Sequence, residues 1–95
     1  MTDDRNFLHE MERRLHDWKA EILKFRVIAE LADLDTQIEY YQIIEDIVKK
    51  EEAVKEKLAD YNESGSVNRS SLKNEIDILR QHVEDAIESA MIRIN

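Results

Sequence analysis

Residues 8–32 read LHEMERRLHDWKAEILKFRVIAELA, and this stretch decides the fold. Its apolar residues recur at alternating steps of three and four, which is the heptad pattern of a helix that packs along a coiled-coil seam. The seam positions are Leu8, Met11, Leu15, Trp18, Ile22, Phe25, Ala29 and Ala32. A pattern kept up for more than three heptads predicts a long amphipathic helix at the start of the chain.

The apolar pattern changes after Ala32 but does not stop. It continues as an eleven-residue repeat through Tyr40, Ile47 and Leu58, which relaxes the supercoil that heptads impose. A second apolar set runs beside this one and consists of Ile28, Leu31, Ile38, Tyr41, Ile44 and Val48. The apolar face between about residues 28 and 48 is therefore wide enough to contact more than one helix.

One segment interrupts the helical pattern. Residues 61–71 read YNESGSVNRSS and contain the only glycine, and the chain has no proline. Asparagine, serine and glycine favour turns over helix interiors. The sequence therefore predicts a single helical domain over residues 1–95, with a helix at about 4–60, a loop at about 61–70 and a helix at about 71–94.

The fold class predicted from these elements is all-α, an antiparallel helical hairpin of one long and one short helix with coiled-coil packing. A helix over residues 4–60 is about 85 Å long and the second is about 35 Å, so the second covers only part of the first. The seam from Leu8 to Phe25 then needs a second copy, which predicts a homodimer. The alternative is a monomeric three-helix bundle with a bend near residues 33–36, where Thr36-Gln37-Ile38-Glu39 reads as a capping box.

The predicted self-association residues are the large apolar members of the N-terminal seam. They are Leu8, Met11, Leu15, Trp18, Ile22 and Phe25.

Composition excludes several classes of function. The net charge of −8 opposes binding to the phosphate backbone of nucleic acids and to anionic membrane surfaces. No apolar run approaches 18 residues, so no membrane span is expected, and the acidic N-terminus is unlike that of a secretory signal. Cysteine is absent, which excludes thiolate metal sites and disulfides. We expect a cytoplasmic protein.

The sequence predicts no catalytic, metal-binding or cofactor-binding residue. His9 and His16 share a helix face, but no third metal ligand accompanies them. Paired acids such as Glu51 and Glu52 lack the enclosed pocket that acid–base chemistry needs. We therefore expect a protein that is not an enzyme and carries no cofactor.

The middle of the chain is unusually acidic. Between Val27 and Val48 there is no lysine or arginine, whereas six residues are aspartate or glutamate. A face of one charge sign favours a partner of the opposite sign. The predicted acidic docking face for a basic protein partner consists of Glu30, Asp33, Asp35 and Glu39. The alternative is that this charge sets the orientation of the chains in a dimer.

Several segments resemble a family of small, mostly uncharacterised bacterial coiled-coil proteins, some of them labelled stress-response proteins. The similar segments are residues 15–22 (LHDWKAEI), 39–40 (EY), 55–58 (KEKL) and 83–86 (VEDA), and a Ser/Gly break precedes the last. The chain departs from that family in its isoleucine- and tyrosine-rich middle and in Asn68-Arg69-Ser70-Ser71-Leu72, where a tryptophan usually opens the second helix. The resemblance implies a helical hairpin, no known enzyme activity and a stress-related role.

These observations together predict a structural or protein–protein interaction coiled-coil module that associates with itself. The alternative is an amphipathic helical protein that binds lipid or a membrane surface. The wide apolar face favours this alternative, whereas the acidic balance opposes it.

Overall fold

The described part of the chain folds into a bundle of three α-helices. The structure, a computed structural model, describes the backbone of residues 2–94 and the side chains of residues 5–65 and 68–94. Over this range the elements are α1 (Thr2–Glu30), α2 (Leu34–Glu63) and α3 (Ser66–Arg93), with no strand. Short turns make consecutive helices antiparallel, and the Cα trace of the bundle extends over 51 × 19 × 17 Å. The all-α prediction is confirmed, and the three-helix alternative fits.

The predicted continuous helix over residues 4–60 is wrong. Helix α1 ends at Glu30 and α2 begins at Leu34, so the long element becomes two helices of 29 and 30 residues. With α3 at 28 residues, the three helices are nearly equal in length, in contrast to the predicted hairpin of one long and one short helix. The break at residues 31–33 lies just before the bend considered at residues 33–36.

Side-chain hydrogen bonds stabilise this first turn, although it contains neither glycine nor proline. Asp33 caps α2, because its Oδ1 accepts a hydrogen bond from the Thr36 backbone N–H at 2.9 Å. The Gln37 side-chain amide donates to the Ala29 carbonyl oxygen at 3.1 Å, which satisfies the C-terminal end of α1. The predicted cap at Thr36 is wrong, since Thr36 donates to the cap from inside the helix.

We expect the Asp33 cap to make stability depend on pH in acid. The Thr36 N–H lowers the pKa of Asp33 below its ordinary value of 3.8. The cap therefore contributes fully above the pKa of the unfolded chain, and its contribution is lost as the pH falls through the lower folded pKa. Asp33→Asn caps without titrating. Thermal unfolding followed from about pH 2 to pH 7 should show a shallower acid decline for the variant; superimposable profiles would refute this assignment.

The second turn is much shorter than the predicted loop at residues 61–70. Helix α2 continues to Glu63 and α3 begins at Ser66, so most of the serine- and asparagine-rich segment is helical. The Ser64 backbone N–H donates to the Asp60 carbonyl oxygen at 2.9 Å, and Gly65 occupies the N-cap position of α3 with extended backbone angles. The helices therefore extend into residues whose composition favours a turn.

The hydrophobic core runs along the inner faces of all three helices. Its buried apolar members are Met11, Trp18, Ile22, Phe25, Ala29, Ile44, Ile47, Val54, Leu58, Tyr61, Ile76, Val83, Ile87, Ala90 and Ile94. At the end that contains the α2–α3 turn, the ring centroids of Phe7 and Tyr61 lie 5.2 Å apart and Lys73 Nζ lies 5.2 Å from the centroid of the Phe7 ring. Apolar burial along the whole rod is the main source of stability.

An ion-pair network joins α1 to α3, which run parallel. Arg14 pairs with Glu10 in its own helix at 3.0 Å and with Glu84 of α3. Arg80 also binds Glu84, at 2.6 Å, and binds Asp77 at 2.9 Å. The hydrogen bond with Asp77 is the main cause that raises the pKa of Arg80. The Arg14–Glu84 pair is the member of this network that crosses from α1 to α3.

Candidate functional site

The predicted self-association residues lie inside the bundle. Met11, Trp18, Ile22 and Phe25 are buried in the core, while Leu8 and Leu15 are partly buried against it. The chain covers its own seam with α2 and α3. The dimer is predicted because a hairpin would leave the N-terminal seam exposed to solvent. In the bundle this seam is covered, so that reason for a dimer no longer applies. Self-association itself stays a prediction.

Exposed large apolar side chains are concentrated at the end of the bundle that holds the α1–α2 turn. Among the described residues these side chains are Leu23, Val27, Ile28, Leu31, Leu34, Ile38, Tyr41, Ile78, Met91 and Ile92. All except Ile78 lie at this end, because α3 also terminates there. We define the corner patch as six of the seven that belong to the α1–α2 hairpin, leaving out Ile28, which directly follows Val27 and so lies on a different face of α1. It consists of Leu23, Val27, Leu31, Leu34, Ile38 and Tyr41.

The corner patch occupies about the last two turns of α1, the connecting turn and the first two turns of α2. At its tip, Leu31 is 84% exposed and Leu34 is 71% exposed. Tyr41 and Arg26 share a shallow depression of about 270 Å³ between the two helices. An apolar surface of this kind, next to polar residues, is typical of an interaction site.

The predicted acidic docking face borders the corner patch, but only part of it is available to a partner. Asp33 is engaged as the cap of α2, and Glu39 pairs with Arg93 across α2 and α3. The Glu39 carboxylate raises the pKa of Arg93. Glu30 and Asp35 are exposed, and neither side chain forms an ion pair with any other described residue. These two carboxylates add negative charge at the turn, while Arg26 adds a positive charge beside Tyr41.

A second concave surface lies between α2 and α3. This groove has a volume of about 650 Å³, and Ile43, Ala86 and Ala90 are among the residues that line it. Its border includes the Glu39–Arg93 pair and an Asp46–Lys50 pair at 2.6 Å. Because these charges already neutralise each other, the groove is a weaker candidate than the corner patch for recognising a charged partner.

Two further findings concern the described part of the chain. No group of three or more histidine, cysteine, aspartate and glutamate side chains is arranged there to hold a metal ion. None of the described helices is both long enough and apolar enough to cross a membrane.

Glu51 is the one charged side chain that is buried among the described residues. It is 7% exposed, lies on the core stripe of α2, and has the Lys55 Nζ 3.8 Å away. A single distant ion pair compensates poorly for the desolvation of a carboxylate. We therefore expect Glu51→Leu to raise the free energy of unfolding by about 1–3 kcal/mol, measured by urea denaturation.

Lys55→Ala is the matched variant, and its expected effect has the opposite sign. It removes the cation and leaves the Glu51 carboxylate buried without it, so the free energy of unfolding should fall. A Glu51→Leu variant less stable than the parent would show that this carboxylate contributes to the fold.

The sequence pattern identifies only three members of the corner patch. Leu31, Ile38 and Tyr41 belong to the wide apolar face that the sequence predicts, whereas Leu23, Val27 and Leu34 do not. A signal for the whole set exists, since the six patch residues follow one another at steps of four, four, three, four and three. In a continuous helix such steps would place them on one face, roughly opposite the seam; in the bundle the turn divides them between α1 and α2.

Comparison with known proteins adds no family to these observations. The chain matches no protein-family model, no curated protein and no solved structure. The resemblance to small bacterial coiled-coil proteins, with its implied stress-related role, therefore stays a prediction. The function has to be inferred from the chain's own surface chemistry.

Proposed function

We propose that the chain is a non-enzymatic protein–protein interaction module. Its corner patch binds an amphipathic helix of another protein, in which apolar residues are flanked by lysine or arginine. The observation that carries this proposal is the gathering of exposed apolar side chains at one end of the bundle, next to carboxylates that have no ion-pair partner among the described residues.

Apolar burial supplies the attraction in this proposal. Leu31 and Leu34 project from the turn, and each large apolar side chain removed from water contributes about 1.5–3 kcal/mol. The core of the bundle is already filled by other residues, so folding does not require these side chains. A partner helix with apolar residues at i, i+3, i+4 and i+7 is suited to cover them.

Charge distinguishes among the candidates that could bind the corner patch, which are a second copy of the chain, a membrane surface and a basic helix. A second copy placed patch to patch would bring Glu30 and Asp35 of one chain towards the same acids of the other, which is unfavourable. An anionic membrane surface would be repelled by Glu30 and Asp35 in the same way, and Arg26 beside Tyr41 offsets only part of this negative charge. A basic helix places lysine or arginine beside Glu30 and Asp35, and these rim charges raise the association rate and the selectivity.

The test uses a designed amphipathic helical peptide, with leucine on one face and lysine flanking that face. The control peptide has every lysine replaced by glutamate. Chemical-shift mapping by NMR is expected to place the lysine peptide on the corner patch and to detect no binding of the glutamate peptide. Unilamellar vesicles, anionic and neutral, form a third arm. Flotation with vesicles and no peptide binding would replace the proposal with the lipid-binding alternative.

Leu31→Asp is expected to weaken peptide binding by about tenfold to a hundredfold, because it removes one large apolar contact and adds a charged group. Its stability should stay within about 0.5 kcal/mol of the parent, since Leu31 is exposed. The affinity is measured by isothermal titration calorimetry.

Ile78→Asp is the control, because Ile78 is a large apolar residue of α3 that is 58% exposed and lies outside the patch. It adds the same charge and should leave the peptide affinity nearly unchanged. Equal weakening by both variants would show that the peptide recognises overall charge, which would contradict a site at the corner patch.

A further inference from the structure

The core residues of α1 and α2 repeat at a fixed spacing that crosses the turn. Met11 and Ile47, Leu15 and Glu51, Trp18 and Val54, Ile22 and Leu58, and Phe25 and Tyr61 are each 36 residues apart. At 3.6 residues per turn, 36 residues make ten complete turns of an α-helix. If residues 31–33 were helical, the inner faces of α1 and α2 would therefore form one continuous stripe.

The turn itself contains nothing that prevents it from becoming helical. Residues 31–33 include no proline or glycine, and no described residue has a positive φ angle. Leucine and alanine are good helix formers. The bent form depends on the Asp33 cap and on the hydrogen bond from the Gln37 side chain to Ala29, together with two short-range bonds from Leu31 and Ala32 to the last turn of α1.

We propose that two copies of the chain exchange helix α1. In each copy the turn straightens, residues 2–63 become one helix, and α1 packs on α2 and α3 of the other copy. The contacts exchanged are those already present within one bundle, so the interface continues an established one. Exchange of an identical element is a low-cost route to a dimer when the hinge permits it.

The core residues of α1 and α2 would lie on the same face of a straight helix, and this shared face is why a second copy of the chain can cover it. A straight helix displays Met11 to Tyr61 on one face, and α3 covers only the half that α2 provides. The uncovered half is α1 itself, and the surface that matches it is formed by α2 and α3 of an identical chain. This inference does not depend on the partner helix proposed above, because the corner patch lies on the opposite side of the straight helix from this stripe.

The first pair of variants acts on the turn in opposite directions. Asp33→Ala combined with Gln37→Ala removes the side-chain bonds that only the bent form makes. Leu34→Pro should keep the turn bent, because Leu34 is the first residue of α2, where proline is favoured, and Asp33 has the extended backbone that precedes proline. Proline inside a continuous helix is strongly unfavourable.

Sedimentation equilibrium from micromolar to millimolar protein measures the result, after refolding at high concentration. We expect an 11.3 kDa monomer and a dimer of twice that mass for the parent chain. The double alanine variant should raise the association constant by at least about tenfold, since two turns lose their bonds for each dimer formed. Leu34→Pro should remain monomeric.

Cross-linking identifies the exchanged contact, because the chain has no cysteine of its own. Arg14 and Glu84 pair within one bundle and would pair between copies after exchange. Chains carrying Arg14→Cys are refolded with chains carrying Glu84→Cys, and a short thiol cross-linker is added. Exchange predicts a covalent dimer. A dimer without this cross-link, a double alanine variant that stays monomeric, or a Leu34→Pro variant that dimerises as well as the parent would overturn the proposal.

Discussion

Replacing Ile22 with aspartate is expected to unfold the protein at 25 °C. Ile22 is 5% exposed and packs in the core formed by all three helices. A buried carboxylate with no partner is far more unfavourable than the lost apolar burial alone, because its charged form loses its hydration. Since small domains are stable by only about 5–15 kcal/mol, this one change is comparable to the whole free energy of unfolding.

Far-UV circular dichroism measures this effect as the loss of helical signal. The matched control is Leu23→Asp, one residue along the same helix, where the side chain is 55% exposed. That variant should fold and unfold within about 0.5 kcal/mol of the parent. Tolerance of aspartate at Ile22 would mean that the N-terminal seam is not buried as described.

Trp18→Ala is expected to lower the free energy of unfolding by about 3–5 kcal/mol. The indole is buried in the core of α1 and borders Ile87 of α3 on its outer edge. Its removal takes away a large apolar surface and leaves a cavity that rigid neighbouring helices fill only in part. Urea denaturation followed by circular dichroism gives the value, because the variant has no tryptophan left to report by fluorescence.

The control for this variant is Lys19→Ala, which changes an exposed neighbour to the residue with the highest helix propensity. Its stability should change by less than about 0.5 kcal/mol. A loss below about 1 kcal/mol for Trp18→Ala would show that the indole is only loosely packed.

The heptad pattern of α1 is a reliable guide to which residues are buried. Met11, Trp18, Ile22, Phe25 and Ala29 all lie in the core, as a seam requires. The pattern identifies the face that must be covered, but it carries no information about what covers it. The same stripe is satisfied by another chain or by a later segment of its own chain.

The first turn escapes prediction for a physical reason. Apolar spacing continues in phase from Phe25 through Tyr40, and neither glycine nor proline marks a break, so periodicity alone favours a continuous helix. The turn depends instead on two side chains, Asp33 and Gln37, whose hydrogen bonds become visible only in three dimensions. Burial of the seam against α2 and α3 then offsets the free energy lost because residues 31–33 are not helical.

At the second turn the sequence predicts too much loop, whereas the continuous helix predicted at the first turn has none. Local composition between Tyr61 and Ser71 favours a long loop, yet only Ser64 and Gly65 separate the two helices. Packing of Tyr61 against Phe7 anchors the last turn of α2. Tertiary contacts therefore outweigh the local preferences of asparagine and serine.

The candidate site is predictable only in part. The absence of lysine and arginine from Val27 to Val48 points to the corner region. The sequence does not reveal that Asp33 is engaged as a cap and Glu39 in an ion pair, which leaves Glu30 and Asp35. It also cannot separate apolar residues that fill the core from those that remain outside it, since that distinction depends on the turn.

The N-terminal seam is covered by its own chain only if the chain turns at residues 31–33. Small-angle X-ray scattering of the 11.3 kDa species at low protein concentration tests this turn directly. The Cα atoms of the bundle have a radius of gyration of 15.4 Å and extend 51 Å along the long axis, so scattering should give values only slightly above these once side chains and hydration are included. A particle of that mass with a maximum dimension of about 85 Å or more, the length of a continuous helix over residues 4–60, would contradict it.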